Sequence, residues 1–237
     1  LQGFFMPTPF LTAEWRKLAM ANYVVDPSLL APFLPPKTEI DLWNGRCYVS
    51  LVAFMFVNTR VKGFRIPFHV DFEEINLRFY VRHNEKRGVV FIKEIVSKPL
   101  VTLIANSIYK ENYETLTTDH SWIATPGILN VEYRWKKKDW NVFRVSSEKT
   151  SRAIADGSEE QFITEHYWGY VKSGSQSATE YQVDHPKWEV YPVRSFSVDV
   201  DFGKVYGEHF SILDNLKPAS VFLAEGSPIS VLNSGKV

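Results

Sequence analysis

A single cysteine, Cys47, leaves no partner for an intrachain disulfide, which excludes a disulfide-stapled secreted scaffold. It sits in an apolar stretch, where it reads as a small buried hydrophobe, and a reducing, cytoplasmic compartment is the simplest setting for it. No apolar run approaches the roughly 18 residues of a membrane span. The densest one, Leu51 to Val57, has only strand length. There is no basic amphipathic helix to lie on a membrane, and no charged segment followed by an apolar core to serve as a signal peptide. Charge of one sign is missing as well. The 27 basic and 27 acidic residues balance, whereas nucleic-acid binders carry a basic excess or stripe. The one basic run, Arg134 to Lys138, reads as a solvated turn between strands. The six histidines are scattered, with no HxH or HExxH spacing, so no metal and no cofactor are expected. GxGxxG, P-loop and GxSxG patterns are absent too, and Gly174-Ser175 lies in a loop with no nucleophile-elbow context.

What is abundant is aromatic: 17 Phe, 11 Tyr and 7 Trp. These side chains suit half-buried pleated surfaces and small-molecule pockets. The 237 residues, 45% hydrophobic and 23% charged, suffice for a sizeable core. Residues 6–225 are expected to form a single domain, with Leu1 to Phe5 a remnant of expression ahead of Met6 and residues 226–237 a weakly ordered tail. A split into two domains near residue 150 fits less well, because the C-terminal half lacks a helix large enough to cover its own sheet.

Residues 12–25 read two ways. Trp15, Leu18, Ala19 and Asn22 keep helical spacing, while Tyr23-Val24-Val25 reads as strand. Asp26 then caps a short helix with Pro27 at its first position, ended by Pro35-Pro36. Glu39 to Leu42 is a short strand, and Asn44-Gly45 is a hairpin turn leading into the strand Cys47 to Val57. Phe72 to Arg82 and Val89 to Val96 pair across a charged turn. Ser97 caps a helix from Pro99 to about Asn112. Strands follow at 116–124, 128–136 and 140–147. After a capped turn at Ser158, strands Thr164 to Lys172 and Ala178 to Asp184 form a hairpin. Glu189 to Phe202 is a long strand in which Pro192 marks an edge or bulge. Gly203 to Leu213 is a helix and 219–224 a last strand. The fold class is α+β, mainly β: a closed, curved, antiparallel, barrel-like domain with a few flanking helices.

The strand Phe72 to Val81 carries the chemistry. Side chains alternate across a strand, so Ile75, Leu77, Phe79 and Val81 share one face and Glu74, Asn76, Arg78 and Tyr80 the other. The polar face meets either bulk water or an enclosed polar cavity. Further candidates are Tyr109, Glu165 and Tyr167, the last two on one face of a strand, and His185 ahead of Pro186 and Trp188.

Taken in order, Trp15, Tyr23-x-Val25-Asp26-Pro27-x-Leu29-Leu30, Asn44-Gly45-Arg46-Cys47-Tyr48, Glu74-x-Asn76-x-Arg78-x-Tyr80-Val81, Gly88-Val89-Val90-Phe91, Thr164-Glu165-x-Tyr167 and His185-Pro186-x-Trp188 resemble the family called domain of unknown function 2071, or YqjF-like. That family is similar in fold to acetoacetate decarboxylase. The resemblance implies a curved β-structure around a central cavity, with Glu74 matching the strand glutamate of the decarboxylase site. It does not supply the Schiff-base lysine. The corresponding segment runs from Tyr109 to Leu116, with Glu114 or Thr115 at the lysine position and Lys110 at the helix end.

Three functions stay in play. One is a small-molecule binding protein, with Arg78 clamping an anion. The second is an enzyme using acid–base chemistry at Glu74. The third is a structural or interaction module whose polar row is an internal network. Neither nucleic acid nor membrane is an expected partner, and self-association is compatible with each reading.

Overall fold

Residues 12–25, where helix and strand competed, belong to one fifteen-residue strand, β1 (Leu11–Val25). The computed structural model describes residues 9–232 and 234–237. Strand wins because β1 is hydrogen-bonded antiparallel on both sides, to β3 (Cys47–Val61) and to β15 (Ser220–Val231). Two-sided pairing overrides a local helical stripe. Asp26 caps a 3-10 turn, Pro27–Leu29, accepting from the Ser28 amide at 2.8 Å. The Asn44-Gly45 turn also forms, with both residues at positive φ, but it does not make the expected hairpin. The short β2 (Glu39–Ile40) pairs with β4 (Phe72–His83) rather than with β3.

β4 continues into β5 (Lys86–Val96). Beyond it come β6 (Tyr113–Thr115), β7 (Thr117–Thr125), β8 (Ile128–Lys136), β9 (Trp140–Glu148) and β10 (Arg152–Ala153). The later strands are β11 (Trp168–Lys172), β12 (Ala178–Asp184), β13 (Glu189–Tyr191), β14 (Val193–Asp199) and β16 (Gly235–Lys236). The large sheet runs β10-β13-β15-β1-β3-β4-β5-β11-β12-β16. It curls until β12 meets β15 again through Val183–Val231 and Asp184–Ser230. Bulges in β1 and between β4 and β5 sharpen the curl. The result is a ring closed at narrow contacts and not a regular barrel. Nor is it wholly antiparallel: β5 pairs in parallel with both β11 and β6.

A second sheet, β14-β9-β8-β7, covers the outside of the ring. Pro192 marks the hand-over between the sheets. The expected single strand from Glu189 to Phe202 breaks there, β13 staying in the ring and β14 joining the second sheet. Proline cannot donate to a ladder, although its carbonyl still accepts from the Glu148 amide at 2.9 Å. The Ile75, Leu77, Phe79 and Val81 face packs against Val131, Tyr133, Trp135 and Phe143 of the second sheet. The inner face encloses a second cluster that includes Phe54, Phe72, Tyr80, Phe162 and Trp188.

Three further expectations change. The helix from Pro99 stops at Ile104 as α1, becomes a π-helical turn over Ala105–Tyr109, and ends at Lys110 with φ +62°. Its cap position is Lys98, without a side-chain bond, and not Ser97. Residues 226–231, read as tail, are the second half of β15 and pair with β1. Gly226 belongs to that ladder, at φ +81°, where a Cβ would collide with the Trp15 carbonyl. Thr164 ends α2 (Glu159–Thr164), so the strand that follows begins only at Trp168. Among the described residues no helix is long and apolar enough to cross a membrane. Cys47 is buried, and burial pushes its thiol up to about 11.

Candidate functional site

All four members of the polar row are buried: Glu74 is 3%, Asn76 1%, Arg78 7% and Tyr80 1% exposed. Bulk water is therefore not what that face meets. Glu74 and Arg78 form part of the wall of a cavity of about 150 Å³, lined by ring strands, by the helix from Pro99 and by the loop around His69. Asn76 and Tyr80 stand behind that wall. Asn76 donates from Nδ2 to Glu74 Oε1 at 3.0 Å and so orients the carboxyl. Tyr80 donates to the Ser50 hydroxyl at 2.8 Å, which donates to Asn22 at 2.7 Å. That chain ties β4, β3 and β1 together and serves the scaffold.

The bulge between β4 and β5 adds a second acid. Opposite Leu77 stands Lys93, but opposite Arg78 stands Phe91, so Ile92 is the extra residue. The alternation of β5 flips across it. Val89 and Phe91 face the cavity before the bulge, and Glu94 faces it after. A third acid, Glu111, arrives by another irregularity. The left-handed Lys110 turns the chain away from the π-helical turn, and Asn112 holds it to β5 through bonds with Ile92 and Glu94 of 2.7 and 3.0 Å. Tyr113, in β6, donates to Glu74 Oε2 at 3.0 Å. Tyr181, in β12, donates to Glu111 Oε1 at 2.7 Å. Tyr181 can approach because its partner across the ladder is Gly169, where a Cβ would fall inside the Tyr181 ring.

Three carboxyls in one desolvated space cannot all ionise cheaply. Burial pushes Glu74 up to about 7, against the pull of Asn76, Tyr113 and Arg78. Burial and the Glu74 charge hold Glu111 up at about 8. Glu94 is raised well above the usual range by burial, then by Glu111 and Glu74. Among the described residues Glu94 Oε2 and Asn76 Oδ1, of the same cross-strand pair, both lack a donor. A proton on Glu94 turns one of those acceptors into a donor. The cavity thus offers acids that carry protons near neutrality, facing one guanidinium. Among the described residues Arg78 donates to the Ile163 carbonyl at 3.4 Å and lies over the Tyr80 ring at 5.7 Å, and its Nε has no hydrogen-bond partner there. Most of the remaining wall is apolar, including Trp15, Phe56, Ile104 and Trp188.

Of the other sequence candidates, His185 reaches the cavity wall, stacked on Trp188 at 4.4 Å. Tyr167 packs on His185 at a tilt, with ring centroids 4.7 Å apart, and is not part of the cavity wall. Glu165 does not face it either; it bonds to Gln161 and pairs with Lys187. These two were assigned to a strand, but the chain between α2 and β11 is irregular, and it is His166 that turns inward. The Tyr109 side chain lies outside the described residues. Lys110 is exposed, and no lysine is among the described residues of the wall. Glu114 points outward to Lys93 and Lys137, and Thr115 bonds to Thr102. The acid that this segment sends inward is Glu111. Sequence reading missed Glu94, Glu111, Tyr113 and Tyr181, and it set His166 on the strand face opposite Glu165 and Tyr167. Only backbone irregularities place the first two, and no strand alternation signals them. Among the described residues no group of three or more His, Cys, Asp or Glu is arranged to hold a metal ion.

The profile of the family named domain of unknown function 2071, described as an uncharacterized conserved protein, matches residues 12–228. The chain belongs to that family. Uncharacterized protein YqjF of Bacillus subtilis (strain 168) is 32% identical over 100 residues, and the match spans 42% of this chain but only 41% of that relative. Among solved structures, the chain is similar to an acetoacetate decarboxylase-like enzyme from Sphingomonas wittichii RW1, with a TM-score of 0.62 at 14% identity over 99% of both chains. Acetoacetate decarboxylase from Legionella pneumophila gives a TM-score of 0.66 at 13% identity, over 99% of this chain and 93% of that one. The enduracididine biosynthesis enzyme MppR, in complex with pyruvate, gives 0.68 at 11% identity, over 99% and 92%. At these identities the likeness establishes the acetoacetate decarboxylase-like fold.

Proposed function

We propose that the protein binds a small organic anion inside the ring, with its charged group on Arg78 and its remainder between protonated carboxyls and the apolar wall. The observation that carries this is the convergence of Glu74, Glu94, Glu111 and Arg78 on one buried cavity. Strongly shifted acids gather at functional sites, because a fold gains no stability from them. The volume suits an occupant about the size of a benzene ring, since engineered cavities of about 150 Å³ take benzene. A fold neighbour was captured with pyruvate, itself a small organic anion. The lone buried thiol of Cys47 accords with a cytoplasmic setting.

The test is a thermal-shift panel of small carboxylic acids, each beside its primary amide, with native mass spectrometry for any retained compound. The acids should raise Tm in the wild type and fail to do so in Arg78→Met. Equal shifts from acids and amides would remove the anion.

A catalytic reading is favoured by one further observation. Glu74, at about 7, is poised to give or take a proton at neutral pH. It applies to a reaction without a Schiff base, because no lysine stands in the described wall. Once a substrate is identified, a Glu74→Gln variant with undiminished turnover would eliminate it.

A further inference from the structure

His166 is not used by that reading, yet it lines the same cavity, with its side chain only 1% exposed. It lies between α2 and β11, and its ring packs on Tyr80 at 4.7 Å and Phe162 at 5.2 Å. Its Nε2 is 3.2 Å from Asp41 Oδ2, and Arg87 donates to the same oxygen at 2.7 Å. Burial would raise Asp41, but those two bonds outweigh it and hold the carboxyl below its ordinary range. Asp41 is therefore an acceptor, and the imidazole proton resides on Nε2. That leaves Nδ1 as a bare lone pair, buried and without a partner among the described residues. Asp41 is not part of the cavity wall, so Nε2 is directed into the protein while the ring borders the cavity.

We propose that His166 Nδ1 is the hydrogen-bond acceptor of the cavity, and that the bound anion is a hydroxy acid: its carboxylate on Arg78 and its hydroxyl donating to His166. The proposal rests on the anion reading above. A buried acceptor without a donor is costly, and a ligand hydroxyl relieves it. The charged groups around the ring support a neutral imidazole. Burial, with the positive charges of Arg87 and Arg78, holds His166 down at about 4 against the raising effect of Asp41. Arg78 also acts on Glu74, so one guanidinium lies within electrostatic reach of both the acceptor and the acids. A cationic donor such as an ammonium would meet repulsion from Arg78 and Arg87, which favours a hydroxyl over an amine.

The experiment compares lactate, 3-hydroxybutyrate and 3-hydroxybenzoate with propanoate, butyrate and benzoate. Binding is followed by calorimetry and by nitrogen-15 NMR of the histidine rings. The wild type should show His166 as the Nε2–H tautomer. At least one hydroxy acid should bind about tenfold tighter than its parent, as one hydrogen bond supplies, and should move the Nδ1 resonance. His166→Phe should bring the hydroxy acid down to its parent, and Asp41→Ala, which frees the tautomer, should narrow the gap between them while leaving the parent's affinity within about twofold. Asp41→Ala keeps the imidazole and serves should the phenylalanine variant misfold. A proton on Nδ1, or equal binding of every pair with no change at His166, overturns the acceptor role and leaves the anion reading standing. If none of the six acids binds, the anion reading itself falls and this inference with it.

Discussion

Glu73 and Glu74 are neighbours on one strand and live in opposite chemistry. Glu73 faces the second sheet, where it accepts from the Thr118 hydroxyl and pairs with His120 Nδ1, both at 2.6 Å. Burial opposes its charge, but those bonds prevail and draw it down to about 2. Glu74 faces the cavity, has no full ionic partner, and is pushed up to about 7. The outer side of β4 uses a carboxylate to join two sheets. The inner side holds carboxylic acids whose contribution to stability drains away as pH rises through 7 to 8. One acid satisfied on the outer face beside three raised on the inner face is the contrast on which the proposed site rests.

The strongest way to break the comparison is to titrate it. A carboxyl whose folded pKa lies above its unfolded value holds its proton more tightly in the folded chain. Its contribution is complete below about 4.5 and is lost as pH rises through 7 to 8. His166, depressed from 6.5 to about 4, acts the other way, losing stability as pH falls between those values. The interval from pH 6.5 to 8 therefore isolates the acids. Urea unfolding should show the wild type losing about 3–5 kcal/mol between pH 5 and pH 8, most of it above 6.5. The triple variant Glu74→Gln, Glu94→Gln, Glu111→Gln should lose less than about 1 kcal/mol over the same span. A wild type flat in pH would mean that the cavity acids are ordinary.

Next in size is the packing that brings Tyr181 to Glu111. Gly169→Ala places a methyl against the Tyr181 ring and should cost about 2–3 kcal/mol, as overpacking does. Tyr181→Ala should relieve that clash, so the double variant should be less unstable than the sum of the singles. Strict additivity would show that the close approach is not what fixes Tyr181. On the outer face, Glu73→Gln should cost about 1–2 kcal/mol at pH 7, the worth of charge-assisted bonds. Glu73 is depressed, so its contribution is present above about 4.5 and lost as pH falls through 2. The gap in Tm between wild type and variant should close over that interval, the reverse of the inner acids.

Much of the ring was legible because β-alternation is local. The β4 row and the β8 and β9 strands follow from period and composition, whereas Pro192 reads as an edge or bulge in one strand and not as the break between β13 and β14. The cavity's first acid was legible for the same reason. Glu94 and Glu111 were not. A one-residue bulge at Ile92 reverses which side chains of β5 point inward, and Lys110 at positive φ redirects Glu111. Both are backbone irregularities set by tertiary pairing, with no residue pattern to announce them. His166 was hidden differently. Strand parity put Glu165 and Tyr167 inward, but parity has no meaning in the irregular chain before β11.

The smallest effect tests whether the bulge truly separates the two environments. Lys93 and Glu94 are adjacent, yet Lys93 points outward, bonded to Glu114 at 3.0 Å and to the Val205 carbonyl at 2.6 Å. Lys93→Met keeps the aliphatic stem and removes a partly exposed pair, so it should cost only about 0.5–1 kcal/mol. The pH slope between 6.5 and 8 should be unchanged, because the cation is separated from the acids by the strand itself. A slope that steepens in this variant would mean that Lys93 restrains Glu94 through the backbone, and the inner and outer faces would then be one electrostatic system instead of two.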